Sequence, residues 1–96
     1  MVEFGILPGV AVGIEAAWHL YMLECTGGSI YTGIAKNAEA RFDAHCLGKG
    51  AKYTRSRRPI RILKTIGYSD RSTASKAEYQ VKHLTAANKR AFCELK

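Results

Sequence analysis

Residues 18–35 read WHLYMLECTGGSIYTGIA, and the fold turns on this stretch. Trp18–Cys25 is dense in aromatic and aliphatic residues and predicts a strand. Thr26, Gly27 and Gly28 break it, and Ser29–Ala35 predicts a second strand. Only a tight glycine turn separates the two, so they pair as an antiparallel hairpin. If Thr26-Gly27-Gly28 is a three-residue loop, Cys25 faces Ser29 and Leu23 faces Tyr31. Tyr21 then lies diagonal to Tyr31 on one face of the sheet, and Gly28 takes the left-handed position such a loop needs. The opposite face carries Trp18, Leu20, Met22, Ile30 and Ile34, an apolar set that reads as core. A two-residue turn would instead put the tyrosines on opposite faces.

Downstream of the hairpin, Asn37 is a natural N-cap for a helix over Ala38–Leu47, with Ala38, Phe42 and Cys46 on one stripe and Gly48 as its stop. Lys49–Pro59 reads as a basic loop, and Ile60–Tyr68 is apolar and β-branched enough for a third strand. Asp70 or Ser72 caps a second helix running to about Leu84, and Thr85 opens a short helix ending near Leu95. The order β-β-α-β-α-α implies an α/β domain: a small three-stranded antiparallel sheet flanked by helices.

Upstream, residues 1–17 are mostly small or apolar and contain no Lys or Arg. They read as a loosely ordered leader to a single domain over residues 18–96. The other reading is a short helix over Gly9–Ala17 that covers one edge of the fold. The positive n-region of a signal peptide is missing, and Glu3, Pro8 and Glu15 leave no run long enough to span a bilayer.

Ninety-six residues make one domain's worth of chain, which argues against a two-domain enzyme or a repeat array. Apolar residues are 47% of the sequence, too many for a disordered chain. Fifteen Lys and Arg against eight Asp and Glu give a net charge of +7, which points to a polyanionic partner, nucleic acid before membrane. The three cysteines, Cys25, Cys46 and Cys93, form no CxxC pair and read as reduced residues of a cytoplasmic protein.

Several residues carry chemistry. Arg41 and His45 are four apart on the first helix and share a face; Arg grips phosphate, and His relays a proton or donates to a phosphate oxygen. On the second helix Ala74, Ala77, Val81 and Leu84 form a buried stripe, and Glu78 falls within it. A carboxylate there needs a partner, either a basic residue or a divalent cation. Between Asp43 and Asp70 there is no acid at all, while seven of the fifteen basic residues lie there, with Tyr53 among them available to stack on a base. Lys36, Lys49, Lys52, Tyr53, Arg55, Arg57 and Arg58 are the expected nucleic-acid contacts.

In this order the residues resemble the GIY-YIG nuclease superfamily, in its small stand-alone, YhbQ-like branch. The resemblance runs from about Trp18 to the C-terminus. The first half-motif is His19-Leu20-Tyr21 and the second Tyr31-Thr32-Gly33, followed by Ile34-Ala35-Lys36-Asn37. The tyrosines are ten apart, Arg41 follows the second by ten, and His45 comes four later. The stretches HCLGKGAKYTR and AEYQVKHLT are also similar to that branch. The resemblance implies that Tyr21 helps activate the attacking water, Tyr31 orients groups at the scissile phosphate and Arg41 stabilises its charge. It further implies that His45 acts as proton relay or phosphate contact, and that Glu78 binds a single Mg²⁺ or Mn²⁺.

Two functions follow. The first is a metal-dependent endonuclease that hydrolyses DNA phosphodiester bonds, in repair or recombination, with a protein partner supplying targeting. The second is a non-catalytic nucleic-acid-binding module on the same scaffold. The retained tyrosines, Arg41 and Glu78 favour the first. Ile34, where many relatives carry lysine, and the expected lack of an added targeting domain favour the second.

Overall fold

The computed structural model describes residues 9–11 and 13–94. The part of the leader reading that concerns residues 1–8 and 12 lies outside them, as does the helix end expected at Leu95. The strands are β1 (Val10–Ala11), β2 (Trp18–Cys25), β3 (Ile30–Ala35) and β4 (Pro59–Tyr68); the helices are α1 (Ala38–Cys46), α2 (Lys52–Ser56), α3 (Arg71–Lys82) and α4 (Ala86–Cys93). All strand pairs are antiparallel, in the order β1-β4-β2-β3. The α/β class and antiparallel sheet expected from the sequence are present, with four strands instead of three. The extra strand is a two-residue pairing, Val10 opposite Tyr68 and Ala11 opposite Gly67. Two residues are too few to leave a periodic signature.

The hairpin has the three-residue register. Leu23 pairs with Tyr31 and Tyr21 with Gly33, and the Cys25 N–H donates to the Ser29 carbonyl at 2.9 Å. Gly27 and Gly28 both sit at positive φ, 82° and 83°, a region that costs glycine nothing. The central strand β2 therefore sends alternate side chains to opposite faces. Leu20 and Met22 enter one core with Ile30, Ile66, Tyr68, Phe92 and the α3 residues Ala74, Ala77 and Val81. Tyr21 and Leu23 enter a second with Cys25 and Ala38, onto which Tyr31, Phe42, Tyr53 and Ile62 pack. A register shift between Met22 and Leu23 pairs these residues with Lys64 and Ile62, leaving Leu63 as the extra residue of a β-bulge in β4.

The helix caps are those read from sequence. Asn37, Asp70 and Thr85 each accept a backbone N–H three residues on. Two local readings change. The expected basic loop contains α2, which Pro59 and the extended Arg57 bring to an end. On α1 the buried position is His45, and Cys46 is exposed. Positions 38, 42 and 45 share a helix face as readily as 38, 42 and 46, and an imidazole can be buried where hydrogen bonds await both its nitrogens. All three cysteines are free thiols.

Among the described residues, neither core draws a side chain from the first 17 positions. Deleting residues 1–17 uncovers the edge of β4 and removes the 2.9 Å bond from the Ala17 N–H to the Tyr68 carbonyl. Losing these few edge hydrogen bonds should lower Tm by roughly 5–10 °C while unfolding stays a single cooperative transition. Loss of the transition in a thermal melt would show that the segment covers core.

Candidate active site

The second core is where the chemistry gathers. Tyr21 and His45 are each 1% exposed, and the Tyr21 hydroxyl lies 2.9 Å from His45 Nε2. Tyr31 closes the group, its ring 6.2 Å from Tyr21 and 5.0 Å from His45, centroid to centroid. Arg41, on the exposed side of α1, is near enough for its positive charge to act on both Tyr21 and His45. Tyr21, Tyr31, Arg41 and His45 are thus brought together by one hairpin and one helix. Burial is the strongest influence on Tyr21, followed by Tyr31, and together they push its pKa up to about 12 against the pull of Arg41. Burial, and then the charge of Arg41, lower the pKa of His45 from 6.5 and keep it neutral at neutral pH.

Two glycines make room for this packing. A Cβ at Gly33 would stand 2.6 Å from the Tyr21 hydroxyl oxygen and 3.1 Å from the Tyr31 ring. One at Gly50 would overlap the His45 imidazole. On the far side of that ring, His45 Nδ1 lies 2.6 Å from Thr54 Oγ1, and the Thr54 hydroxyl lies 2.8 Å from the Ala51 carbonyl. Thr54 and Gly50 carry no charge or periodicity that would single them out. Their signal was only that they fall inside the GKGAKYTR stretch.

The expected nucleic-acid contacts divide. Tyr53 packs on Tyr31 at 5.7 Å, and the Arg57 guanidinium lies over the Tyr53 ring at 5.2 Å. Arg55 and Arg58 line a small cavity with His45 and Thr54. Lys49 and Lys52 are exposed nearby. Lys36 stands apart, over the Trp18 ring at 5.8 Å. Arg61, also in the acid-free window, pairs with Glu24 at 2.8 Å, the residue opposite it on β2.

Glu78 does not join the tyrosine cluster. It is on α3, whose buried residues pack against the other face of the sheet, and its carboxylate pairs with Lys82 at 3.4 Å. No group of three or more His, Cys, Asp or Glu able to hold a metal occurs among the described residues. Mg²⁺, however, is commonly held by one or two carboxylates, with water and substrate phosphates completing the shell. A lone, partly open glutamate suits that donor set, and a solvent-facing Glu–Lys pair is weak enough to yield to a cation.

A hairpin that places two tyrosines against a histidine and an arginine of the next helix defines a GIY-YIG catalytic domain. The sequence profile of that domain matches residues 17–91, and the chain belongs to this family, a nuclease superfamily. Within it the chain stands among the UPF0213 proteins, to which the YhbQ-like branch belongs. It is 56% identical over 79 residues to a UPF0213 protein of Cupriavidus necator, covering 82% of this chain and 86% of that one. To a UPF0213 protein of Xanthomonas campestris pv. campestris it is 47% identical over 77 residues, 80% of this chain and 76% of that one. The solution NMR structure of a UPF0213 protein from Bacillus halodurans is similar, with a TM-score of 0.53 and 42% identity over 82% of this chain and 84% of that one.

The buried neutral His45 makes a testable contribution to stability. Its pKa is below 6.5 in the folded state, so on acidification the unfolded chain takes up the proton first. The contribution is complete above pH 6.5 and is lost as pH falls through the folded pKa. Tm measured from pH 7.5 to 5 should therefore drop, and drop less steeply in His45→Gln.

Proposed function

We propose that this protein is a metal-dependent endonuclease that hydrolyses phosphodiester bonds in DNA, working in the cytoplasm in repair or recombination. The observation that carries the reading is the buried Tyr21–His45 hydrogen bond beside Arg41. With a pKa of about 12, only roughly one Tyr21 in 10⁵ is a phenolate at pH 7. A pre-formed phenolate base is therefore too rare to be useful, and a concerted relay is favoured. The attacking water gives its proton to the Tyr21 oxygen as the Tyr21 proton passes to His45 Nε2. The water oxygen forms the new P–O bond, the bond to the bridging oxygen breaks, and the departing alkoxide takes a proton from solvent. General-base assistance of this kind contributes typically 10²–10⁴-fold.

Arg41 supplies the charge-assisted donor for the phosphate oxygens, and Tyr31 orients the phosphate. Lys36, Lys49, Lys52, Arg55, Arg57 and Arg58 hold the backbone electrostatically. Tyr53 acts through Tyr31, which it packs against, more than as an open stacking platform. Glu78 would hold Mg²⁺ or Mn²⁺ from α3, and the ion would supply positive charge to a phosphate oxygen of the nucleic acid that reaches that helix.

The test is cleavage of single-stranded, duplex and branched DNA with Mg²⁺ or Mn²⁺. Glu78→Gln should abolish metal-dependent cleavage and leave affinity for DNA nearly unchanged. Full activity in this variant would remove Glu78 from the mechanism. Lys49→Glu with Lys52→Glu should weaken binding and flatten its log–log salt dependence by about one unit for each phosphate no longer neutralised; an unchanged slope would place the nucleic acid elsewhere. The second reading, binding without hydrolysis, is favoured by the pairing of Glu78 with Lys82 away from the tyrosines. It prevails if the wild-type protein binds each of these DNAs and cuts none.

A further inference from the structure

We propose that Thr54 is a positioning residue that holds His45 in the Nδ1–H tautomer, so that Nε2 is left as the acceptor for the Tyr21 proton. This rests on the nuclease reading only for its consequence in catalysis; the tautomer itself is a property of the free protein.

Arg41 has donors and no acceptor, so towards Arg41 the Tyr21 oxygen can only accept. The single Tyr21 proton is then free to point at His45 Nε2, 2.9 Å away. On the other side of the ring the Thr54 hydroxyl also has one proton, and it has two neighbours, His45 Nδ1 at 2.6 Å and the Ala51 carbonyl at 2.8 Å. If Nδ1 carries the histidine proton, every short contact is used: Nδ1–H donates to Thr54, Thr54 donates to Ala51, and Tyr21 donates to Nε2. If Nε2 carries it, Thr54 must turn to Nδ1 and abandon Ala51, and Tyr21 must turn its proton from the imidazole to the neighbouring Tyr31. That arrangement gains only the Ala51 N–H, 3.4 Å from Nδ1, at the long limit of a hydrogen bond.

Helix α2 makes this possible. It sets Thr54 nine residues beyond His45 on the opposite side of the imidazole, and Gly50 lets the connecting backbone pass against the ring. Once His45 has taken the Tyr21 proton, its Nδ1–H still donates to Thr54. The imidazolium is thereby stabilised through the hydroxyl by the Ala51 carbonyl. The charged and titratable groups facing His45 are Arg41 from α1, Tyr21 and Tyr31 from the hairpin, and Arg55 and Arg58 around the cavity beside it. The arginines carry no acceptor and Tyr21 is engaged at Nε2, so the short-range acceptor for Nδ1–H is Thr54.

The test uses the full chain, labelled with ¹⁵N, and its Thr54→Val and Thr54→Ser variants. Long-range ¹H–¹⁵N spectra of the His45 ring distinguish a protonated from an unprotonated nitrogen. Wild type and Thr54→Ser should show a protonated Nδ1 and a bare Nε2, whereas Thr54→Val should move the proton to Nε2. On DNA at saturation, Thr54→Val should cut roughly 10- to 100-fold more slowly at unchanged KM, and Thr54→Ser should recover most of the rate. A protonated Nε2 in the neutral wild-type histidine overturns the proposal even if Thr54→Val does not fold, and so does a folded Thr54→Val that keeps the wild-type tautomer. If wild type cleaves no DNA, the nuclease reading fails while the spectra still decide the role of Thr54.

Discussion

Strand β2 is covered on both faces and paired on both edges, and the rest of the molecule is arranged around that constraint. Its neighbours β3 and β4 satisfy its backbone. Its side chains alternate between two cores, one closed by α3 and α4 and the other by α1 and α2. A tyrosine in such a strand is almost wholly withdrawn from bulk solvent, and an unpaired buried hydroxyl costs about 1–3 kcal/mol. The pairing of Tyr21 with His45 removes that cost, and it also creates the reactive contact. One hydrogen bond serves the stability of the second core and the chemistry proposed for it.

The same economy of space appears around the aromatic rings. Tyr21, Tyr31, His45 and Tyr53 lie in successive contact. They fit because the backbone opposite Tyr21 is Gly33 and the backbone beside His45 is Gly50, each with no room for a Cβ. The glycine of the second half-motif thus has a packing reason independent of any turn. Arg41, by contrast, stays at the surface, where its charge both lowers the pKa of His45 and opposes the rise in that of Tyr21. The site is buried and neutral within and cationic at its rim, which suits a phosphate arriving from solvent.

Much of this was legible in the sequence because it is local. A three-residue loop over Thr26–Gly28 puts Tyr21 and Tyr31 on one face, and of the two turns the sequence allows this is the one the hairpin adopts. Asn37, Asp70 and Thr85 announced their helices, since a cap is read within three residues. The spacing of Arg41 and His45 placed both near one face of α1. Residues decided by distant partners could not be read in this way. Val10 and Ala11 become a strand only because β4 offers an open edge, and His45 takes the buried position from Cys46 only because Tyr21 and Thr54 await its two nitrogens.

Glu78 and Thr54 mark the boundary most clearly. The sequence by itself put Glu78 within a buried stripe, because helical periodicity is a property of neighbours along the chain. Its direction was a matter of packing: α3 covers the face of Leu20 and Met22, and the carboxylate turns to Lys82. Thr54, one uncharged residue among lysines and arginines, acquires meaning only from the fold. The α2 turn carries its hydroxyl to 2.6 Å from His45 Nδ1. Local patterning determined the elements, their caps and the pairing of the two tyrosines. Tertiary structure decided which polar groups share a desolvated space, because hydrogen bonding there depends on distances of a few tenths of an ångström between residues far apart in the chain.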